Sequence, residues 1–267
     1  MILGIVCMGI PTNLGGAVMK KTGLVLGGGG AKGSYEIGVW MALRELGLET
    51  SIRGVSGASI GALNMALFAQ GDLQEALELW LGLSTRDVVG VDFKRMLLSR
   101  EGALSQKKIR SILQKVLNPE ALAASPLDLY ACCCRTEGYQ AEYISLNRPR
   151  PADIATVLLA SAAIPVAFPP VWMDGRAYCD GGVADNEPVR PLYEKGFRRL
   201  IVVGLNPEKP PRTEGFPGAE FCIIVPRRRE LFRSGVETVL EFSPERSLRR
   251  LSSGYLDGLE ALGSFFG

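Results

Sequence analysis

The chain has 267 residues, 22% of them charged and 47% hydrophobic, with a formal net charge of +2 and no histidine. So small a charge excludes the basic footprint of a nucleic-acid-binding protein, and the apolar fraction excludes a disordered chain. No run of 18 apolar residues occurs, so no transmembrane helix is expected.

The length suits a single domain that buries its own core. Residues 1–18 are apolar but have no basic region ahead of the apolar run, which argues against a signal peptide. They read as a loose extension or a mis-called start, with a short membrane-touching segment as the sharper alternative. The domain proper is expected over 19–267. "TGLVLGGGG" (22–30) predicts a buried strand and a tight turn. From Ala31 the apolar period becomes helical (Ile37, Trp40, Met41 and the leucines 43–46), and Gly47 closes the helix. "SIRGVS" (51–56) is a second strand, and "IGALNMALFAQG" a helix stopped by Gly71. Two strand–turn–helix units in succession argue for a parallel sheet with crossover helices.

Residues 72–125 read as a helical cover. Ile109, Ile112, Leu113 and Val116 form a stripe that ends at Asn118-Pro119. "LDLYACCCRT" and "AEYISL" predict a hairpin or adjacent strands, "ADIATVLLASAAI" a helix ended before Pro165, and "AYCDGGVADNEPV" a strand entering a turn. "RRLIVVGL" (198–205) and "EFCIIVP" (220–226) have the continuous apolar character of strands buried on both faces. The last helix is expected to start at Ser243-Pro244 and to face inward with Leu248, Leu251, Tyr255, Leu259 and Leu262. The expected architecture is a single three-layer α/β domain with a mostly parallel central sheet and helices on both faces. The six cysteines include three in a row, with no C-x-x-C pair. Without histidine they read as buried free thiols in a reducing compartment, not as a disulfide framework or a zinc site.

Three stretches carry candidate chemistry. Gly57-Ala58-Ser59-Ile60-Gly61 has the G-x-S-x-G spacing of a nucleophile elbow, where small residues clear a cramped strand-to-helix turn. The helix N-terminus behind it favours negative charge; the plainer reading of Ser59 is a helix N-cap. "GGGGAKG" (27–33) can aim backbone N–H groups at an anion. It fits an oxyanion hole. It also fits the dinucleotide fingerprint, with Gly28, Gly30 and Gly33 at the phosphates and Glu49 on a ribose. "DGGVADNEPV" offers Asp180 at a strand end, as a simple Asp-Gly turn or as a base. A serine without histidine needs another base, and a buried carboxylate has its pKa raised toward that task. Lys32 is the other histidine-free option, through lysine-assisted serine catalysis.

Together and in this order the three stretches resemble the patatin-like phospholipase family. Its motifs, G-G-G-x-[KR]-G, G-x-S-x-G and D-G-[GA], stand here as Gly28 to Gly33, Gly57 to Gly61 and Asp180-Gly181-Gly182. "ASAAIPVAFPPV" (160–171) and "DNEPV" add to the resemblance, which spans Thr22 to Leu205. It implies a patatin-like fold and hydrolysis of acyl esters of phospholipids or related lipids by a Ser59–Asp180 dyad, with no cofactor or metal. It further implies an oxyanion hole at Gly28, Gly29 and Gly30. Lys32 and Gly33 would shape that loop, Gly57 and Gly61 the elbow, and Gly181, Gly182 and Asn186 the Asp180 turn.

"LELWLGL" (77–83) and "FKRMLLS" (93–99) are apolar enough to line an acyl trough or simply to form core. The basic run 226–235, with Arg246, Arg249 and Arg250, reads as a solvated face or as a contact with anionic lipid. The expected setting is cytoplasmic, peripheral at a membrane, with a lipid or acyl-ester substrate. Two other readings stand beside the hydrolase: a catalytically silent lipid-binding protein, and a dinucleotide-binding protein using Gly28, Gly30 and Gly33.

Overall fold

The computed structural model describes residues 21–88, 106–147, 151–165, 167–232 and 235–267. The expected 1–18 extension, the 93–99 stretch and Cys7 lie outside them. Strand β1 (Thr22–Leu26), helix α1 (Ser34–Glu45), strand β2 (Ile52–Ala58) and helix α2 (Ile60–Gln70) are the two strand–turn–helix units that the changes of period predict. Next come α3 (Leu73–Gly82), the single turn α4 (Thr85–Val88), α5 (Lys107–Val116) and α6 (Pro119–Ala123). Asn118 and Pro119 both end α5 and start α6. The Asn118 side chain accepts from the N–H of Ala121, and proline occupies the first turn, where no N–H is needed.

Strands β3 (Asp128–Arg135) and β4 (Gln140–Ser145) form the expected antiparallel hairpin. Helix α7 (Pro151–Ser161) follows, then β5 (Val171–Met173), β6 (Arg176–Asp180), the short α8 (Arg190–Glu194), β7 (Arg199–Val203), β8 (Glu220–Ile224), the turn α9 (Val236–Val239) and the long α10 (Pro244–Phe266). The eight strands form one sheet in the order β5-β6-β3-β2-β1-β7-β8, with β4 also paired to β3. The run β3-β2-β1-β7-β8 is parallel, and β4, β5 and β6 are antiparallel additions.

One detail of register positions the site. β2 pairs with β3 as far as Cys132, and β6 pairs with β3 from Cys133 onward, while β4 holds the other edge over 130–135. β6 therefore takes over the edge of β3 where β2 leaves off. The end of β6, Asp180, lies immediately beyond the end of β2.

The layers are unequal. The larger face buries Leu24, Leu26, Val55, Leu129 and Ile201 under α1, α2, α7 and α10. The smaller holds Val25, Val189, Leu192, Phe197, Leu200 and Val202, with α8 as its helix. Cys132, Cys133, Cys134, Cys179 and Cys222 are buried and free. Among the described residues no helix is long and apolar enough to cross a membrane.

Two expectations need correction. β8 ends the sheet with no further strand beside it among the described residues, and it is buried on one face only: Cys222 and Ile224 are buried while Phe221 and Ile223 are partly exposed, unlike the corresponding residues of β7. In the stripe predicted for α10, Leu251, Tyr255, Leu259 and Leu262 pack on the core as expected, but Leu248 is 52% exposed. The inward side is mostly small or polar: Ser247, Arg250, Leu251, Ser253, Gly254, Gly258 and Leu262. α10 crosses α1 with backbones nearly touching; a Cβ on Gly254 would lie 2.0 Å from the carbonyl oxygen of Tyr35.

Candidate active site

The turn between β2 and α2 is as cramped as its glycines imply. A Cβ on Gly57 would meet the carbonyl oxygen of Gly61 at 2.3 Å, and one on Gly61 that of Leu26 at 2.2 Å. Ser59 sits at the apex with φ 54° and ψ −125°, a left-handed conformation for a residue with a side chain. Such strain persists only where surroundings over-determine it. Here Ser59 N–H donates to Ser161 Oγ (3.0 Å), whose hydroxyl donates to the carbonyl of Cys132 (2.6 Å). Ser59 makes no side-chain cap bond to α2. Its hydroxyl instead donates to Asp180 Oδ2 at 2.5 Å, in a buried contact.

Asp180 is fixed on both sides. Its N–H donates to the carbonyl of Ala163 (2.9 Å), and its Oδ1 accepts from the N–H of Gly182 (2.8 Å). Burial pushes its carboxyl up to about 6, against the opposing pull of the Ser59 and Gly182 hydrogen bonds. The next residue, Gly181, packs against the carbonyl of Cys132.

The glycine loop lies alongside. The N–H of Gly28 is taken by the carbonyl of Asn186 (3.2 Å), and Asn186 Nδ2 donates back to the carbonyl of Gly28 (3.3 Å). Asn186 thus ties the Asp180 turn to the loop. The N–H groups of Gly29 and Gly30 donate to no acceptor among the described residues. On the exit side Asn64 of α2 donates to the carbonyl of Gly33 and to Glu36, and accepts from Trp80 Nε1. Burial raises the Glu36 carboxyl well above the ordinary carboxylate range.

Lys32 is buried within the loop, where its N–H donates to the carbonyl of Gly29 (3.2 Å), but its side chain makes no hydrogen bond among the described residues. Burial, then the Arg250 charge, lowers its pKa. The cation that holds the loop is Arg250, which donates to the carbonyls of Ala31 (2.9 Å) and Leu231 (3.1 Å) and lies over the Phe232 ring. This corrects its grouping with the surface arginines, since Arg250 is 1% exposed. Arg227, Arg246 and Arg249 are paired with Glu260, Glu241 and Glu245.

Two cavities meet at Ser59. The first, about 80 Å³, is walled almost wholly by apolar side chains, among them Leu63, Leu67, Trp80, Ile112, Leu113 and Phe168. Leu79, Trp80 and Leu83 from the 77–83 stretch line it. The second, about 450 Å³, is the polar cleft over Gly28, Gly29, Gly30, Asp180 and Asn186. Glu49 is remote from both. It precedes β2 at the opposite edge of the sheet, a strand length of roughly 20 Å from the glycine loop, and is bonded to Trp40 and Arg44. The ribose contact of the dinucleotide reading is absent.

Ser161, Asn64 and Arg250 are the positioning residues that sequence reasoning missed. Ser161 stood inside a helical apolar run, and Asn64 inside the elbow helix. Arg250 carried a weak signal, as a charge three places beyond Ser247 and one before Leu251 on what became the inner face.

The arrangement is that of a serine–carboxylate pair on the C-terminal edge of the parallel strands. The family model for patatin-like phospholipase matches residues 24–193, and the chain belongs to that family. It is 32% identical over 194 residues to an uncharacterized NTE family protein of Mycobacterium tuberculosis, covering 72% of this chain and 51% of that protein. It is 28% identical over 245 residues to the lysophospholipase NTE1 of Cryptococcus neoformans, covering 84% of this chain and 14% of that protein. The chain thus spans about half the length of the mycobacterial relative and a smaller part of the fungal one. Human GIVD cytosolic phospholipase A2 in complex with methyl gamma-linolenyl fluorophosphonate shares the fold, with a TM-score of 0.51 and 13% identity over 92% of this chain and 59% of that one.

Proposed function

We propose that the chain is a serine acyl hydrolase that cleaves carboxylic esters of phospholipids or related lipids through Ser59 and Asp180. The observation that carries this reading is the 2.5 Å hydrogen bond from Ser59 Oγ to Asp180 Oδ2, at the junction of an apolar and a polar cavity. The chain has no histidine to serve as base. Membership of the patatin-like family and the lysophospholipase relatives support the same chemistry.

The mechanism follows from the geometry. With a carboxyl pKa of about 6, Asp180 is mostly ionised at neutral pH and basic enough to accept the serine proton during attack. Ser59 Oγ bonds to the ester carbonyl carbon as its proton passes to Asp180 Oδ2. The carbonyl oxygen becomes an oxyanion, and the N–H groups of Gly29 and Gly30 are the donors assigned to it. Gly28 contributes by fixing the loop, since its own N–H is committed to Asn186. Collapse breaks the ester C–O bond, and Asp180 returns the proton to the departing alkoxide. Water, deprotonated by Asp180, then attacks the acyl-serine, and the proton returns to Ser59 as the fatty acid leaves. The acyl chain occupies the apolar cavity and the alcohol the polar cleft. The likeness to lipid hydrolases also suggests peripheral contact with a membrane.

The test is hydrolysis of p-nitrophenyl butyrate with fluorophosphonate labelling. Wild type is expected to turn over and to label. Ser59→Ala and Asp180→Asn are expected to lose at least about 10³-fold in kcat, by the scale of removing a triad member, and Ser59→Ala to lose the label. Undiminished turnover in Ser59→Ala would sink the assignment. A folded wild type that neither labels nor turns over would favour the silent lipid-binding reading.

A further inference from the structure

The polar cleft holds two cations that the hydrolytic chemistry does not use. Lys32 is 6% exposed and lines the cleft, and its side chain forms neither a hydrogen bond nor a salt bridge among the described residues. A buried ammonium whose hydrogen bonds are unmade is costly, so a site that keeps one has something to gain from an anion. Lys209 lines the same cleft, on a turn where its N–H donates to the carbonyl of Asn206 and the Asn206 side chain accepts from Glu208 N–H. Its side chain makes no salt bridge among the described residues. Beyond Lys209 the cleft continues into a wider polar groove that shares Asn186, Glu187 and Lys209 with it and adds Arg190 and Arg212.

The facing acids are accounted for. Asp180 is the base. Glu187 accepts from Asn186, and Asp185 accepts from the Tyr143 hydroxyl. Burial raises the pKa of both of these carboxyls. Glu208 offsets part of the Lys32 charge. Lys209 and Arg212 lie beyond residues 24–193, the stretch that matches the family model, so these cations belong to this chain's own C-terminal part.

Resting on the hydrolase reading, we infer that Lys209, together with Lys32, is a specificity-determining residue for the leaving group: it selects glycerol esters that carry a phosphate. With the acyl chain in the apolar cavity, the alcohol must leave through the polar cleft. A phosphate at the far end of the glycerol then lies in the cavity that both ammonium groups line. Each offers a charge-assisted hydrogen bond that a neutral glycerol cannot receive.

A matched pair of substrates tests this. 1-Decanoylglycerol 3-phosphate and 1-decanoylglycerol have the same acyl chain and the same ester, and differ only in the phosphate. Both are assayed as monomers with wild type, Lys209→Glu and Lys209→Arg. Wild type is expected to favour the phosphate ester by at least about tenfold in kcat/KM, the scale of one such hydrogen bond, and the preference should shrink as salt is added. Lys209→Glu should abolish the preference through KM while leaving 1-decanoylglycerol turnover unchanged, and Lys209→Arg should keep it. Turnover of both esters by wild type without discrimination would overturn this inference alone, as would an equal loss on both substrates in Lys209→Glu. No turnover of either ester by folded wild type would overturn the hydrolase reading and this inference with it.

Discussion

Asp180 is a carboxyl group 6% exposed and held against a hydroxyl, with burial as the dominant influence on its proton. The folded chain binds that proton up to about pH 6, whereas its ordinary value is 3.8. As pH rises from the lower value to the upper, the unfolded chain releases the proton first, so this group's contribution to stability falls across that window. At pH 7 the ionised form costs about 3 kcal/mol relative to an unshifted aspartate. Function needs this costly state, because only the carboxylate accepts the serine proton. Two results are expected from a single pH series. The kcat/KM for a soluble ester rises through about pH 6 and is flat above it. Asp180→Asn, inactive, melts several degrees higher than wild type at pH 7.5, and the gain shrinks toward pH 4 as the wild-type carboxyl regains its proton. A wild-type profile flat from pH 4.5 to 8 would remove Asp180 from the role of base.

Arg250 works at the same scale by a different route. Its bond to the carbonyl of Ala31 sets the orientation of the peptide that follows the Gly29 and Gly30 donors. A positioning role separates from a structural one in the kinetics. Arg250→Met is expected to lower kcat on p-nitrophenyl butyrate about tenfold with KM unchanged, and to slow fluorophosphonate labelling in parallel. Arg250→Lys should recover part of both. A fall in melting temperature with kcat intact would make Arg250 structural only. The motifs made Ser59, Asp180 and the glycine loop legible in the sequence, because each requires small residues at fixed spacing. Arg250, Ser161 and Asn64 were not legible: their role depends on which carbonyl or amide the fold brings to them, and no local pattern encodes that.

At the scale of elements, the meeting of Ser59 with Asp180 is a consequence of strand length. β3 outruns its pairing with β2 and leaves an edge free from Cys133, which β6 fills in the opposite direction. The alternation and turn signals of the sequence announced each strand but not this succession, since they carry no information about register between distant segments. The C-terminal helix was legible in part for a related reason. Apolar periodicity placed Leu251, Tyr255, Leu259 and Leu262 inward but not the glycines: Gly38, Gly254 and Gly258 allow an approach so close that backbone contact sets the interface. A single methyl at Gly254 must push the helices apart, since its position is 2.0 Å from the Tyr35 carbonyl oxygen. Gly254→Ala is expected to destabilise by about 2–3 kcal/mol despite the better helix propensity of alanine, read as a lower denaturation midpoint at unchanged m-value. An unchanged or raised midpoint would mean that the crossing relaxes freely.

Over the whole molecule, the unequal layers divide the substrate. The thick face supplies α2, α3 and α5, whose side chains, with Ala162, Ile164 and Phe168 after α7, line the apolar cavity, while the loops after β6 and β7 contribute the polar cleft. Ser59 stands at the junction because the elbow passes from β2 into α2, the helix on the thick face. Chain-length preference should therefore be governed by residues distant in sequence from every catalytic motif. Ile112 is half-buried on α5 and lines the apolar cavity. Ile112→Phe adds volume to a space of about 80 Å³ without touching Ser59, Asp180 or the glycine loop. Its expected effect is a fall in kcat/KM for p-nitrophenyl decanoate of about tenfold, the discrimination that a few methylenes in an apolar pocket provide, with butyrate turnover kept within about twofold of wild type by the same reasoning. Parallel loss on both esters would indicate that the acyl chain takes another path, and that the apolar cavity is a packing defect between the helices of the thick layer.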